Sequence, residues 1–265
     1  MDSSITSSDL LHPGLTYRLI GRNLSDLRPM LRPYTDAVCL PDESTDTPEL
    51  VICHGGDGTL LWAERDFPGI PKLAIRDRAR NPKCPLHSEE ELLEQFFGGS
   101  LPAHSLHRLR ARLSGTSDEL AGLNDIVIAR KVQLGAIRLR IRQDGRMLCP
   151  QAISDGLVLC TPFGSTGYFQ SITRGHFQCG LGLAYNNPTG GDSFSILDET
   201  SEIEVEVLRG PATVMADNNP RLLELGDGDT LTIRFDNDLT RIFGMEALRC
   251  PECHHLRLNE EVVKK

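Results

Sequence analysis

The hydrophobic pattern of this chain changes its period near residue 103, and this change constrains the fold more than any other feature. Before it, short apolar runs such as residues 50–53 alternate with helix-like segments such as residues 59–65. Ser88 followed three residues later by Glu91 forms a capping box, which predicts the start of another helix. Strands that alternate with helices are typical of a parallel α/β sheet.

Beyond residue 103, apolar residues alternate with arginines. Residues 108–113 and 137–142 have this period of two, and the Asp144-Gly145 pair then predicts a hairpin turn. We interpret the arginines as the solvated face of half-buried strands, with a phosphate-facing patch or an oligomer interface as alternatives. The sequence therefore predicts an α/β N-terminal domain with a parallel sheet over 1–103, a β-rich C-terminal domain over 104–245 and a tail over 246–265.

Charge and composition exclude several kinds of protein. The 265 residues include 28 basic and 37 acidic side chains, so the net charge of −9 argues against non-specific nucleic-acid binding. No run approaches the roughly 20 apolar residues of a membrane span, and the N-terminus lacks the features of a signal peptide. We therefore expect a cytoplasmic protein with no membrane partner and with reduced cysteines.

The first motif is a glycine loop between a strand and a helix. The apolar residues 50–53 lead into Gly55-Gly56-Asp57-Gly58-Thr59. Backbone N–H groups at such a helix start favour a phosphate, and glycines let it approach closely. The loop has neither the lysine of a Walker motif nor the glycine spacing of the dinucleotide fingerprint.

Asp57 is the informative residue of this loop. A carboxylate beside phosphates is unfavourable unless it ligates Mg²⁺ or accepts a proton from an attacking hydroxyl. The alternative is an aspartate that caps the helix or bridges the turn.

The second motif follows the strand-like residues 155–160. It comprises Thr161-Pro162-Phe163-Gly164-Ser165-Thr166-Gly167-Tyr168. Its hydroxyls can bond ribose and phosphate, and Tyr168 can stack on a base. The alternative is an ordinary Ser/Thr-rich turn, whereas a serine nucleophile elbow is excluded by the glycine spacing.

Together the two motifs resemble those of the NAD kinase family. Gly-Gly-Asp-Gly-Thr alone is shared with diacylglycerol and sphingosine kinases, but the order Asp-Gly, apolar strand, Thr-Pro, Gly-Ser-Thr, Tyr resembles the NAD kinase signature. Asn124-Asp125 stands where the family has Asn and usually Glu, and Asp217-Asn218 is a weaker match to an Asp-Gly pair. The resemblance covers residues 51–243.

The resemblance implies a fold, a reaction and a set of site residues. Members of the family have an α/β domain and a β-rich domain with NAD in the cleft between them, and they form homo-oligomers. They transfer a phosphoryl group from ATP or polyphosphate to the 2′-hydroxyl of NAD, and they use Mg²⁺. Asp57 would be the catalytic base or orient the hydroxyl. The residues implied in phosphate and nucleotide binding are Gly55, Gly56, Gly58, Thr59, Asn124, Asp125, Asp155, Thr161, Ser165, Thr166 and Tyr168.

Two segments depart from the family pattern. Residues 76–82 replace an Asn and a glycine-rich stretch that lines the NAD site, and residues 172–176 replace a Ser-Ala-Gly-Gly-Pro-like stretch. The arginines that these segments contain could meet an extra phosphate or could be solvated: Arg76, Arg78, Arg80 and Arg174. A smaller or more anionic acceptor than NAD is therefore a second hypothesis, and a non-catalytic dinucleotide sensor is a third.

The C-terminal tail contains a zinc-like spacing. Cys250 and Cys253 are separated by two residues and are followed by His254. A structural zinc site needs four ligands, so a plain surface tail is the favoured interpretation.

Overall fold

A computed structural model describes residues 5–34, 48–77, 87–191, 193–250 and 252. Contacts divide the chain into two compact units. The described residues of Met1–Leu106 and Thr240–Lys265 form the first unit, and those of His107–Leu239 form the second.

The described residues form fifteen strands and five α-helices. In chain order these are β1 (Tyr17–Gly21), α1 (Leu24–Leu31), β2 (Leu50–His54), α2 (Asp57–Asp66), β3 (Lys72–Ile75), α3 (Glu89–Phe97), β4 (Ala103–Leu113), β5 (Glu119–Gly122), β6 (Asp125–Arg130), β7 (Ile137–Gln143), β8 (Arg146–Ser154), β9 (Gly156–Cys160), α4 (Tyr168–Thr173), β10 (Leu181–Asn186), β11 (Phe194–Leu197), β12 (Ile203–Arg209), β13 (Ala212–Ala216), β14 (Leu223–Leu225), β15 (Thr230–Phe243) and α5 (Met245–Leu248). Short 3₁₀ helices lie at Ser7–Asp9, Arg32–Tyr34 and Gly164–Thr166. The longest described helix, α2, has ten residues, and no described helix is long and apolar enough to cross a membrane.

The first unit is built on a parallel sheet. Its strand order is β1, β2, β3 and the last residues of β15. Leu73 of β3 lies opposite Ile52 of β2 on one side and opposite Phe243 of β15 on the other. Every residue of β2 is buried, as expected for a strand of a parallel sheet. Ser88 accepts a hydrogen bond from the Glu91 N–H (3.0 Å) at the start of α3. The predicted α/β class and the predicted cap are therefore confirmed.

The second unit contains antiparallel pairings throughout. In one sheet the first residues of β15 pair with β12, followed by β7 and β8, and β4 pairs with β5. The other sheet has the order β11-β10-β9-β6-β13-β14. Apolar side chains from both sheets, such as Leu139 and Leu157, belong to one buried core. Asp144 and Gly145 have φ values of 50° and 75°, so the predicted hairpin turn between β7 and β8 is confirmed.

The strands place both glycine loops at strand ends. In the first unit, β2 leads into the loop that starts α2. In the second unit, the Thr161 loop follows β9, and Asn124 precedes β6, the antiparallel neighbour of β9. All five residues of β9 are buried, so the strand is a rigid support for the loop at its end.

Candidate functional site

The first glycine loop requires glycine at position 55. The Gly55 N–H donates to the Ile75 carbonyl (2.8 Å), which extends the parallel ladder beyond β2. A Cβ atom at Gly55 would lie 2.1 Å from the Thr59 hydroxyl oxygen and 2.9 Å from Thr59 Cβ. Helix α2 can therefore begin this close to the strand end only with glycine there. Added Cβ atoms at Gly56 and Gly58 would meet nothing within 4 Å, which leaves room for a ligand.

Replacing Gly55 by Ala should destabilise the protein by about 1–3 kcal/mol, because the new methyl group must displace Thr59 and the first turn of α2. Gly56→Ala is the matched control, since its φ of −111° suits any residue and its Cβ would meet nothing. Urea unfolding of both variants measures the difference. Equal stability of the two variants would contradict this account of the loop.

Asp57 is the first residue of α2, and its carboxylate is flanked by cations. Its Oδ1 atom is buried and has no hydrogen-bond partner among the described residues. The Arg76 guanidinium lies 4.0 Å from Oδ1, and the Arg249 guanidinium lies 3.6 Å from Oδ2. Oδ1 therefore does not cap the helix, and the side chain, which is 43% exposed, is open to an incoming group.

The four arginines of the departing segments have different surroundings. Arg76 is buried, with 2% exposure, and donates a hydrogen bond to the Leu248 carbonyl oxygen at the end of α5. Arg174 is exposed and ends α4 in the left-handed conformation. Arg78 and Arg80 lie outside the described residues. The predicted extra phosphate contacts stay predictions, and Arg76 also has a structural role.

In the second unit, Asp217 shapes the turn that carries Asn124 and Asp125. Its Oδ1 accepts hydrogen bonds from the N–H groups of Asn124 (2.8 Å) and Asp125 (3.0 Å), and its Oδ2 accepts from the Leu123 N–H (2.6 Å). One carboxylate thus satisfies three successive backbone donors. Asp217 has a positive φ of 48°, a region that Asp adopts more readily than most residues other than glycine.

The Asn124 side chain holds an unused acceptor. Its Oδ1 atom is buried and has no hydrogen-bond partner within the described part of the chain. A buried polar atom without a partner costs about 1–3 kcal/mol, so a hydrogen bond from a ligand to this atom would be favourable. The Asn124 amide is therefore suited to accept a hydrogen bond from an amine or hydroxyl of a ligand.

Asp125 lies beside this amide and is almost fully buried. Burial, and then the charge of Asp217, raise the pKa of Asp125 from 3.8 to about 7. Burial disfavours the charged form because the carboxylate loses its water, and the second carboxylate repels it. At neutral pH, Asp125 can therefore exchange its proton readily when a ligand binds.

Replacing Asp125 by Asn should stabilise the ligand-free protein above pH 7 but not near pH 4. Below the unfolded pKa of 3.8, Asp125 is protonated in both states and carries no penalty. As the pH rises from there towards 7, the unfolded state loses its proton while the folded state keeps it, so folding becomes less favourable, and above about 7 the folded state holds a buried charge. We expect a gain of a few kcal/mol at pH 8, measured by thermal unfolding across this range. A gain independent of pH would contradict the assignment.

The Thr161 loop is built against the same turn. The Thr161 N–H donates to the Asn124 carbonyl (2.9 Å), and its hydroxyl donates to the Leu123 carbonyl (2.7 Å). A Cβ atom at Gly164 would lie 2.1 Å from the Asn124 carbonyl oxygen, so the loop fits only with glycine there. Asn124, Asp125 and Thr161 therefore form one cluster.

The hydroxyls of Thr161 and Ser165 are used inside the loop. The Thr161 hydroxyl also accepts from the Gly164 N–H (3.0 Å), and the Ser165 hydroxyl lies 2.7 Å from the Pro162 carbonyl. Both residues are 1% exposed, so a nucleotide would have to displace these bonds. Their predicted contacts with nucleotide stay predictions, whereas Thr166 and Tyr168 are exposed.

Asp155 and Tyr168 belong to a second cluster. Asp155 precedes β9 and lies 2.8 Å from the Arg130 guanidinium, and the Tyr168 hydroxyl accepts from the Asn186 amide (3.0 Å). Asn186 pairs with Gly156 at the amino end of β9, whereas Thr161 follows its carboxyl end. Five residues of strand separate the ends by roughly 16 Å. The predicted nucleotide contacts of this unit thus lie at both ends of one strand.

Several residues of these clusters were not predicted as site residues. Asp217 had a weak signal in the Asp217-Asn218 pair, and its role follows from three backbone donors that only the fold brings together. Asn186, Arg130 and Arg249 are single polar residues in unremarkable sequence, and no motif marks them.

The described residues contain no group of three or more His, Cys, Asp or Glu side chains that could hold a metal ion. Cys250 is partly buried after α5, and Cys253 and His254 lie outside the described residues. The zinc site of the tail stays a prediction.

Comparisons with known proteins identify the relatives of this chain. No protein-family model matches it. An NAD kinase of Ralstonia nicotianae is 24% identical over 76% of this chain and 70% of its own length. An NAD kinase of Bordetella pertussis is 30% identical over 48% of this chain, and this match spans less than half, 44%, of that relative.

Solved structures with the same fold are also NAD(H) kinases. Yeast NADH kinase complexed with NADH has a TM-score of 0.66 at 19% identity, and the match covers 77% of this chain and 66% of that chain. An NAD kinase from Archaeoglobus fulgidus in complex with ATP has a TM-score of 0.69 at 20% identity, covering 88% and 94%. The predicted fold class is thereby confirmed. This chain is therefore similar in sequence to NAD kinases and shares the fold of solved NAD and NADH kinase structures.

Proposed function

We propose that this protein is an NAD kinase that transfers the γ-phosphoryl group of ATP to the 2′-hydroxyl of the adenosine ribose of NAD. The observation that carries the proposal is the state of Asp57, a partly exposed carboxylate at the start of α2 with a buried, unbonded oxygen beside two guanidinium groups. A carboxylate in this state can accept the proton of an attacking hydroxyl. The relatives named NAD kinase support the choice of reaction.

In the proposed reaction, the 2′-oxygen attacks the γ-phosphorus of ATP. A bond forms between these two atoms, the bond from the γ-phosphorus to the bridging oxygen breaks, and ADP leaves. Asp57 accepts the hydroxyl proton and later returns it to solvent. Phosphoryl transfer needs positioning and charge stabilisation more than covalent chemistry, which matches a site of fixed carboxylate, guanidinium groups and glycine backbone.

The second unit supplies polar contacts suited to a dinucleotide. The cluster of Asn124, Asp125 and Thr161 and the cluster of Asp155 and Tyr168 lie at opposite ends of β9. A dinucleotide has two nucleosides joined by a pyrophosphate, so one molecule can contact both clusters. The open acceptor of Asn124 and the carboxyl group of Asp125 suit an adenine amine or ribose hydroxyls.

Mg²⁺ would accompany the donor phosphates. This ion is usually held by one or two carboxylates together with phosphates and water. Asp57 already faces two guanidinium groups, which disfavour a third cation on the same carboxylate. We therefore assign Asp57 to the hydroxyl and Mg²⁺ to the phosphates, with polyphosphate as an alternative donor.

A homo-oligomer, which the family resemblance supports, and a cytoplasmic location are part of the proposal. Light scattering of the purified protein should give a mass that is a multiple of 29.3 kDa. A mass of one chain at micromolar concentration would contradict the oligomer.

A panel of acceptors tests the proposed function. The protein is incubated with Mg²⁺ and ATP labelled in the γ-phosphate, and with NAD, NADH, adenosine or a hexose as acceptor. We expect label in the 2′-phosphate of the dinucleotide and none in adenosine or hexose. Label only in a sugar or nucleoside would favour the other-acceptor hypothesis, for which residues 76–82 are the reason. Calorimetric binding of NAD without transfer would favour the sensor.

A further inference from the structure

We propose that Arg76 and Arg249 are positioning residues that hold the Asp57 carboxylate in its reactive orientation. The inference rests on the proposed function, because it concerns the group that accepts the hydroxyl proton. Arg76 and Arg249 both lie outside the two glycine loops. Their role is therefore inferred from the geometry of the first unit and not from either motif.

The two arginines approach different oxygens of the same carboxylate. Arg76 Nη2 lies 4.0 Å from Oδ1, and Arg249 Nη2 lies 3.6 Å from Oδ2. Both separations are longer than a hydrogen bond, so the attraction is Coulombic and leaves lone pairs of the carboxylate available. A guanidinium stays protonated in proteins, so both charges are permanent. Two fixed cations acting on two oxygens restrict rotation of the carboxylate about its own axis.

Arg76 is itself fixed, which makes it a rigid reference point. It follows β3 directly and is 2% exposed, so its side chain cannot move freely. It also donates to the carbonyl oxygen of Leu248, the last residue of α5. One guanidinium therefore links the parallel sheet, the end of α5 and Asp57.

Arg249 extends this link from the other side. It follows Leu248, so the bond from Arg76 to that carbonyl also fixes where the Arg249 side chain begins. Its side chain is 27% exposed, in contrast to the buried Arg76. Substitution of Arg249 should therefore disturb the fold less, which makes it the better position for an experiment.

The alternative state of Asp57 explains why such positioning is useful. An aspartate in the first turn of a helix readily bonds the free N–H groups of that turn and is then unavailable as a base. In this structure Oδ1 makes no such bond with any described residue. The two arginines lie beside the two oxygens and thereby favour an orientation in which Oδ1 does not cap the helix.

A double-mutant cycle tests the proposal. Arg249→Met should lower kcat about 10-fold with less than about twofold change in KM for NAD and ATP, because a misplaced carboxylate affects chemistry rather than binding. Arg249→Lys should recover part of the loss. In an Asp57→Asn background, Arg249→Met should have no further effect, because it acts through Asp57. Arg65→Gln is the control, since Arg65 lies on α2 but pairs with Asp66.

The outcomes separate the two proposals. If the unmodified protein forms no NADP, the proposed function falls and the positioning role falls with it. If the unmodified protein is active and the Arg249→Met variant has the same kcat, only the positioning role falls. Two results would overturn the positioning role and make Arg249 a phosphate ligand. In the first, Arg249→Met lowers kcat by the same factor with Asp57 present and in the Asp57→Asn variant. In the second, Arg249→Met changes only the KM for ATP. Arg76→Lys gives the same readouts at the buried position, with thermal unfolding to verify its fold.

Discussion

Replacing Asp57 by Asn is expected to lower kcat for NADP formation by about 10²-fold or more. Asn keeps the size of the side chain and its hydrogen-bonding oxygen, but it cannot accept the proton of the attacking hydroxyl. The flanking Arg76 and Arg249 then face a neutral group, so the thermal stability of the variant must be measured beside its activity. KM values for NAD and ATP should change little if Asp57 has the proposed role of a base, because a base acts mainly in the transition state.

Asp66→Asn is the matched control for this variant. Asp66 is the last residue of α2 and pairs with Arg65 and Trp62 at the helix surface, far along the helix from the glycine loop. It should retain activity within about twofold. An Asp57→Asn protein that is folded and as active as the control would remove Asp57 from the chemistry.

Replacing Lys72 by Met is expected to cost about 3–5 kcal/mol of stability, the largest structural effect we foresee. Lys72 is fully buried in β3, where its ammonium pairs with Glu64 and donates to the Phe67 carbonyl (2.6 Å). Without it, the Glu64 carboxylate is a buried charge without its cation. The hydroxyl of Thr240 still donates to Glu64 Oε1 (2.8 Å), but a neutral donor compensates only part of the charge.

Two further variants make this prediction specific. Replacing both partners, with Lys72→Met and Glu64→Leu, should recover much of the loss, because no buried charge remains. Lys131→Met removes an exposed ion pair with Glu224 and should cost less than about 1 kcal/mol. Urea unfolding measures all three. A Lys72→Met protein as stable as the Lys131 variant would contradict the buried-pair account.

The sequence predicts strands and loops well where one residue type decides the geometry. β2 is an apolar run that ends in glycine, and Gly55 and Gly164 are required by contacts with Thr59 and Asn124. Such local requirements are visible in the sequence because only glycine meets them.

The sequence predicts less where partners come from distant positions. Lys72 lies within a run that predicts a strand, and its burial depends on Glu64 and Thr240. The alternating pattern predicts that Arg108 faces water, and this prediction is wrong: Arg108 is 5% exposed and pairs with Asp236 at 3.0 Å, 128 residues later. Burial of these charges is possible only because each partner is brought close by the fold, which periodicity alone does not specify.

The candidate site shows the same contrast between local sequence patterns and contacts from distant positions. The order of glycines and hydroxyls predicts the loop residues, whereas the contacts of Asp217 and Arg249 are created only by the folded chain. The raised pKa of Asp125 follows from its burial and from the proximity of Asp217, and both conditions depend on the turn before β6.

Phosphorylation of NAD by this chain can be measured directly. The purified protein is incubated at high concentration with NAD, ATP and Mg²⁺, and the reaction is coupled to an NADP-specific dehydrogenase. We expect NADP to accumulate, with one ADP formed for each NADP. Absence of NADP at high enzyme concentration, from protein shown to be folded, would contradict the proposed function.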